Sequence, residues 1–337
     1  MAFFRKSMTR NATAGELTTR IPIMRAESTT ASASPKKKTL ALTGATALLL
    51  ALMPLAGITN VWADNFFGTS GPDTIDGTDG SDNIFGKEGN DDLDGEGGDD
   101  YIEGNQGKDE ITDGTGSDNI WAGSGNDKIK LETEGESEDI DEVHGQEGKD
   151  NIDAAFSEGF FLFYGGPDDD SIRAPGDQND GRAYGGSGDD SIQVSGDARY
   201  DAWGGSGDDE ISGSSECSLD RTFGGSGNDE IQQPGDFTRA GDGNDIINFF
   251  DCGGTAYGND GDDRINGGDA GIEGHGGDGN DIIRGGDGDN DLFGDSGNDK
   301  LTGGENGENH FDCGSGDDTI TNFDPGTDTK TSDCEHF

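Results

Sequence analysis

The chain has 337 residues, with 22 Lys+Arg against 72 Asp+Glu for a formal net charge of −50, and only 28% of it is apolar. That balance excludes a polytopic membrane protein and a nucleic-acid binder, which needs Lys and Arg to meet phosphate; it also argues against an ordinary layered domain, where nearly half the residues are apolar. Two readings remain: a disordered acidic chain, or a repeat fold with a thin core whose charge is neutralised by metal.

Residues 1–63 stand apart from the rest. They hold eight basic residues and two acids, Glu16 and Glu27, leaving the remainder with 14 Lys+Arg and 70 Asp+Glu, a net of −56. After Lys36, Lys37 and Lys38 comes an apolar run over 39–58, and Val61 and Ala63 fit the small-residue rule for cleavage after Ala63. These features predict an export signal over 1–63. The alternative is an uncleaved anchor, since about 20 apolar residues just span a bilayer. Either way the bulk of the chain is expected outside the cytoplasm, secreted or at the cell surface, touching membrane only if the segment is retained.

A period of nine begins at residue 68. Through residue 130 the chain writes out as seven rows without an insertion: GTSGPDTID, GTDGSDNIF, GKEGNDDLD, GEGGDDYIE, GNQGKDEIT, DGTGSDNIW and AGSGNDKIK. The sixth place is always Asp (Asp73, Asp82, Asp91, Asp100, Asp109, Asp118, Asp127), and the eighth is always aliphatic, from Ile75 to Ile129. Glycine always holds the fourth place. A disordered tract has no reason to keep Asp and Ile two apart through seven rows. Glycines at the first, second and fourth places allow positive φ and let carbonyls turn toward one point. A carboxylate beside those carbonyls is an oxygen donor set for a hard cation such as calcium. The last three places make one short strand with a single inward side chain, and only stacked coils of two units bury a continuous apolar file.

These rows resemble the G-G-x-G-x-D-x-U-x repeat of the RTX, or haemolysin-type, calcium-binding family. The resemblance implies an all-β fold, a parallel β-roll, with calcium ions between turns of successive coils. It also implies that each sixth-place Asp is a calcium ligand. Members of that family commonly leave the cell through a one-step exporter that reads a C-terminal signal, so the N-terminal segment here is a departure.

Beyond residue 130 the register loosens. LETEG (131–135) interrupts, ESEDIDEVH gives a poor unit with Asp141 and Val143, and GQEGKDNID a good one with Asp150. Clear units then begin at 165, 185, 204, 224, 240, 258 and 276, separated by 20, 19, 20, 16, 18 and 18 residues, about one coil each. Their sixth-place residues are Asp170, Asp190, Asp209, Asp229, Asp245, Asp263 and Asp281. Single spacing returns with Asn290 replacing Asp, then Asp299, then a degenerate row GGENGENHF with Glu308 at the sixth and His310 at the eighth place, and finally Asp318. The expectation is one roll over 64–321 with about fourteen coils, roughly 65–70 Å long at about 4.8 Å per coil. Calcium should lie on both edges of its first half and mainly one edge of its second, with 322–337 as a C-terminal cap.

The remaining features are smaller. Four cysteines in an oxidising compartment predict two disulfides, and the spacings suggest Cys217–Cys252 and Cys313–Cys334. Just before the second-half units stand Tyr164, Tyr184, Trp203, Phe223, Arg239, Tyr257 and His275. One coil apart, they predict a vertical stripe, read either as a ladder that stiffens the solenoid over small inward residues or as a platform for a glycan or protein. Catalytic motifs are absent or absorbed by the repeat: no HExxH occurs, and Ser296 in GDSG lies in repeat register. The function expected is therefore a non-enzymatic extracellular roll that folds on calcium and serves a structural or surface role, with self-assembly possible. The alternative is a calcium-dependent adhesin binding cell-surface glycan through the stripe.

Overall fold

The computed structural model describes residues 63–132, 140–154, 159–174, 180–196, 199–214 and 218–334. All belong to one compact unit, Thr59–Phe337. The export segment, except Ala63, lies outside the described residues, as does Cys217 of the expected Cys217–Cys252 pair.

Among the described residues there are strands and no helix. The chain alternates step by step between two parallel sheets, one of 15 strands and one of 14, so each strand pairs with the one a full coil away. The three-residue x-U-x segment accounts for the short strands of the second sheet, such as Glu110–Thr112 and Lys128–Lys130. Strands of the first sheet run on into the next turn, as in Asn83–Glu88 and Tyr200–Ser206.

The register puts eighth-place residues directly above one another. Ile84 pairs with Ile102, Ile102 with Ile120, and Ile120 with Val143 in one sheet. In the other, Leu93, Ile111, Ile129 and Ile152 form the matching file. All are fully buried. Each contributes on the order of 1.5–3 kcal/mol by leaving water, and only the stack provides that burial. LETEG leaves the register intact: the coil from Asp118 to Asp141 is 23 residues instead of 18, yet Asp118 N still meets Asp141 Oδ1 at 2.9 Å.

In the second half the inner wall of the longer-stranded sheet shrinks. The residues paired in sequence there are Phe163, Ala183, Ala202, Thr222, Thr238, Ala256, Gly274 and Leu292. The volume is made up from the edge by Phe161, Tyr200, Leu219 and Ile272, all buried.

The row GGENGENHF takes a different register from the one its sequence suggests. Asn290 pairs with Asn309 and Leu292 with Phe311, so Asn309 stands in the Asp place and Phe311 points inward, fully buried. Glu308 is exposed, and His310 faces outward with Nδ1 2.9 Å from Thr329 Oγ1. One extra residue before Cys313 permits the shift, and burying a phenyl ring rather than an imidazole decides it. The segment 322–337 supplies a final strand, Thr329–Lys330, paired to His310 and Phe311. A disulfide joins Cys313 to Cys334 across this end.

Candidate metal turns

The sixth-place aspartates stack into two files, one along each edge of the roll. The long file is unbroken. Asp73, Asp91, Asp109, Asp127, Asp150, Asp170, Asp190, Asp209, Asp229, Asp245, Asp263, Asp281, Asp299 and Asp318 are linked in that order, each backbone N–H donating to Oδ1 of the next Asp at 2.7–2.9 Å. The short file runs Asp64, Asp82, Asp100, Asp118, Asp141 by the same bond. Asp141, in the poor unit, therefore occupies the same kind of position as its neighbours. Beyond it the file turns apolar: Phe161 is paired with Asp141, and Gly181, Tyr200 and Leu219 follow. The file becomes polar again at Asn290, Asn309 and Asp328.

The Oδ1 bond uses half of each carboxylate. The other oxygen, Oδ2, is buried and has no hydrogen-bond partner in fifteen of these residues: Asp91, Asp100, Asp109, Asp118, Asp127, Asp150, Asp170, Asp190, Asp209, Asp229, Asp245, Asp263, Asp281, Asp299 and Asp318. Leaving one buried acceptor unsatisfied costs about 1–3 kcal/mol, so fifteen in one thin roll call for a common partner.

The first-place glycine shows where that partner would sit. A Cβ at Gly86 would meet Asp91 Oδ2 at 2.5 Å and the Gly104 carbonyl oxygen of the next coil at 2.9 Å. Carboxylate and carbonyl oxygens thus converge on one small space, with backbone passing too close for a side chain. Gly86 is not at positive φ, so space rather than backbone freedom requires glycine there. The fourth place is different: Gly107 has φ 148°, and a Cβ on it would collide with the Gly89 carbonyl oxygen. An all-oxygen set with net negative charge fits calcium.

Two of the expected ligands are set apart. Asp73 Oδ2 accepts from Thr69 N and Oγ1 at 2.5 and 2.9 Å, and Asp82 Oδ2 accepts from Thr78 N and Oγ1 at 2.8 Å each. Threonine at the second place already occupies the oxygen left bare in later turns. Asn290 is a third variation: its Nδ2 donates to the carbonyls of Gly286 and Gly288 at 2.9 and 2.7 Å. There an amide N–H fills the space that elsewhere holds only acceptors.

Without a cation, the electrostatics are unfavourable. Burial, followed by like-charged neighbours, pushes Asp118 up to about 9 and Asp150 and Asp263 to about 8. Burial lifts Asp100, Asp170, Asp209, Asp245 and Asp299 to about 7 in the same way. A divalent ion among the Oδ2 atoms would reverse that trend.

A model of the RTX calcium-binding nonapeptide repeat, four copies long, matches residues 63–93, 103–130, 202–215, 255–270 and 275–307, roughly a third of the chain. The chain carries RTX calcium-binding repeats. No curated protein matches it. The orphaned Oδ2 atoms extend the RTX pattern beyond the matched spans to Asp100, Asp150, Asp170, Asp190, Asp229, Asp245 and Asp318.

The aromatic stripe lies on the outer face of the longer-stranded sheet and is longer than the sequence reading made it. Trp121, His144, Tyr164, Tyr184, Trp203 and Phe223 stack in turn with centroids 3.9, 4.6, 5.0, 4.4 and 5.5 Å apart and planes within 10°. Arg239 continues it, its guanidinium 5.9 Å from the Phe237 and Tyr257 rings. Tyr257, His275 and Phe293 stack again at 4.5 and 4.3 Å. Trp121, His144 and Phe293 were legible as residues that directly follow an inward Ile120, Val143 or Leu292.

Proposed function

We propose that this is an exported, non-enzymatic RTX roll that folds when it meets extracellular calcium and serves as a rigid structural element outside the cell or at its surface. The observation that carries the reading is the set of fifteen buried, unpartnered Oδ2 atoms. A chain with a net charge of −50 repels itself when calcium is scarce, so it stays extended during export. Calcium then contributes its binding free energy directly to folding. The basic and apolar segment before Ala63 supports export, and the Cys313–Cys334 disulfide suits an oxidising compartment.

The stripe favours the structural role over the adhesin. Sugar recognition by aromatic stacking needs a free ring face, and in the run Trp121–Phe223 the rings cover one another. Sedimentation velocity in EGTA and in millimolar calcium tests the proposal. A slow, expanded species should become one faster, compact species on adding calcium, whereas an unchanged sedimentation coefficient refutes calcium-driven folding. Glycan-array binding lost in aromatic-to-Ser variants would transfer the function to the adhesin reading.

A further inference from the structure

The short file ends at Asp141, and the turn at that end differs from its neighbours. Asp113 holds the first place of its row, where the rows on either side carry Gly104 and Ala122. Its side chain enters the space that glycine elsewhere leaves open. Asp113, Asp118 and Asp141 are 2%, 2% and 4% exposed, and one oxygen from each lies within 4.8 Å of the other two. Backbone amides orient the group: Asp113 Oδ1 accepts from Gly114 N at 2.6 Å and Glu132 N at 2.7 Å, Asp118 Oδ1 from Asp100 N at 2.8 Å, and Asp141 Oδ1 from Asp118 N at 2.9 Å. Asp118 Oδ2 is buried and has no hydrogen-bond partner.

We propose that Asp113, Asp118 and Asp141 form a separate three-carboxylate calcium site, tighter than the repeat turns, which closes the short file where its edge turns apolar. Affinity for calcium rises with the number of charged ligands and the rigidity of the site. Here three buried carboxylates are held by four backbone N–H bonds, whereas an ordinary turn of the long file brings one sixth-place carboxylate to each first-place glycine. The next residue of the file is Phe161, so no carboxylate continues beyond the site on that side. The proposal rests on the calcium reading of the RTX turns.

The test is equilibrium dialysis of the full chain against graded free calcium, with bound calcium counted directly. Wild type, Asp113→Gly, Asp113→Asn and, as a charge control, the exposed Glu305→Gln are compared. Glycine restores the residue most rows carry, and Asn keeps the Oδ1 acceptor while dropping the charge. Circular dichroism in millimolar calcium checks that each is folded. Wild type and Glu305→Gln should take up one ion at a free calcium at least tenfold below the rest, and both Asp113 variants should lose that first ion alone. Isotherms of the Asp113 variants that superimpose on wild type overturn the proposal while leaving the RTX reading intact. A wild type that binds no calcium overturns both.

Discussion

Replacing Asp209 by Asn changes one atom in the middle of the long file and should invert that turn's response to calcium. Asp209 Oδ1 accepts from Asp190 N at 2.8 Å, and its Oδ2 is buried without a partner beside Gly204 and the Gly224 carbonyl. Asn keeps the Oδ1 acceptor. Its Nδ2 can donate to the turn carbonyls, as Asn290 does to Gly286 and Gly288. In EGTA the variant therefore removes an orphaned acceptor and should gain about 1–3 kcal/mol. In saturating calcium it loses at least one ion bound only by the folded state, which contributes about 2.7 kcal/mol when free calcium is 100 times its Kd. Stability plotted against free calcium should thus cross: variant above wild type when calcium is scarce, below it when calcium is abundant. Urea unfolding followed by circular dichroism at neutral pH, over a series of buffered calcium concentrations, measures both curves. A variant less stable by the same amount at every concentration would mean that Asp209 is only a hydrogen-bonding residue, and the metal argument would fail.

Four further outcomes are expected. Without calcium the folded roll binds more protons than the unfolded chain, because burial lifts carboxyls such as Asp190, Asp229 and Asp281 to about 6 and Asp118 to about 9. Order in EGTA should accordingly be greatest near pH 4 and decline as pH rises through about 6–9; circular dichroism with the opposite pH trend in EGTA counts against the buried files. Thr222 Oγ1 and Tyr200 Oη are buried and unpartnered, so Thr222→Val and Tyr200→Phe should each raise stability by about 1 kcal/mol in calcium, measured by urea unfolding. Cys334→Ser opens a loop of sequence separation 21 and should cost about 3 kcal/mol on the chain-entropy estimate, with protease sensitivity appearing first in the tail. Trp203→Ser removes stacks at 4.4 and 5.5 Å and should cost about 1–3 kcal/mol for the two ring pairs, read as a lower calcium-saturated melting temperature.

Much of this molecule is legible in its sequence because a period of nine assigns one physical task to one place. Asp at the sixth place and Ile or Leu at the eighth are enough to infer two files of carboxylates and two apolar files, and the parallel pairing follows from stacking them. Features that depend on a neighbouring coil were harder to read. Thr69 and Thr78 look like filler in their rows, yet their hydroxyls reach the carboxylate four residues on and change what Asp73 and Asp82 can bind. The slip that puts Asn309 and Phe311 in the Asp and Ile places arises from a single extra residue, which row-by-row reading absorbs into the wrong place. First-place glycine was assigned to backbone freedom, whereas at Gly86 the approach of Gly104 from the next coil requires it. Phe161, Tyr200, Leu219 and Ile272 have no period, so nothing in their own segments marks them as the continuation of a carboxylate file.

Those four residues explain why the second half of the roll tolerates the loss of an edge. Once the short file gives up its carboxylates, its positions can be buried without ions, and Phe161 and Tyr200 reach inward over a wall reduced to Ala183, Ala202 and Thr222. On the opposite face of the same sheet, rings make coil-to-coil contact at Phe67–Phe85, from Trp121 to Phe223 and again from Tyr257 to Phe293. Apolar edge and small wall are two parts of one exchange, in which a stretch of sheet replaces carboxylate turns with side-chain packing. The outer ring stacks are no part of it, since Phe67–Phe85 and Trp121–His144 already stand in coils that keep Asp82, Asp118 and Asp141. The long file shows no such exchange: its hydrogen bonds and its bare Oδ2 atoms continue through Asp318. Calcium dependence should therefore be graded along the roll, which carries two carboxylate edges in its first coils and one in its later coils.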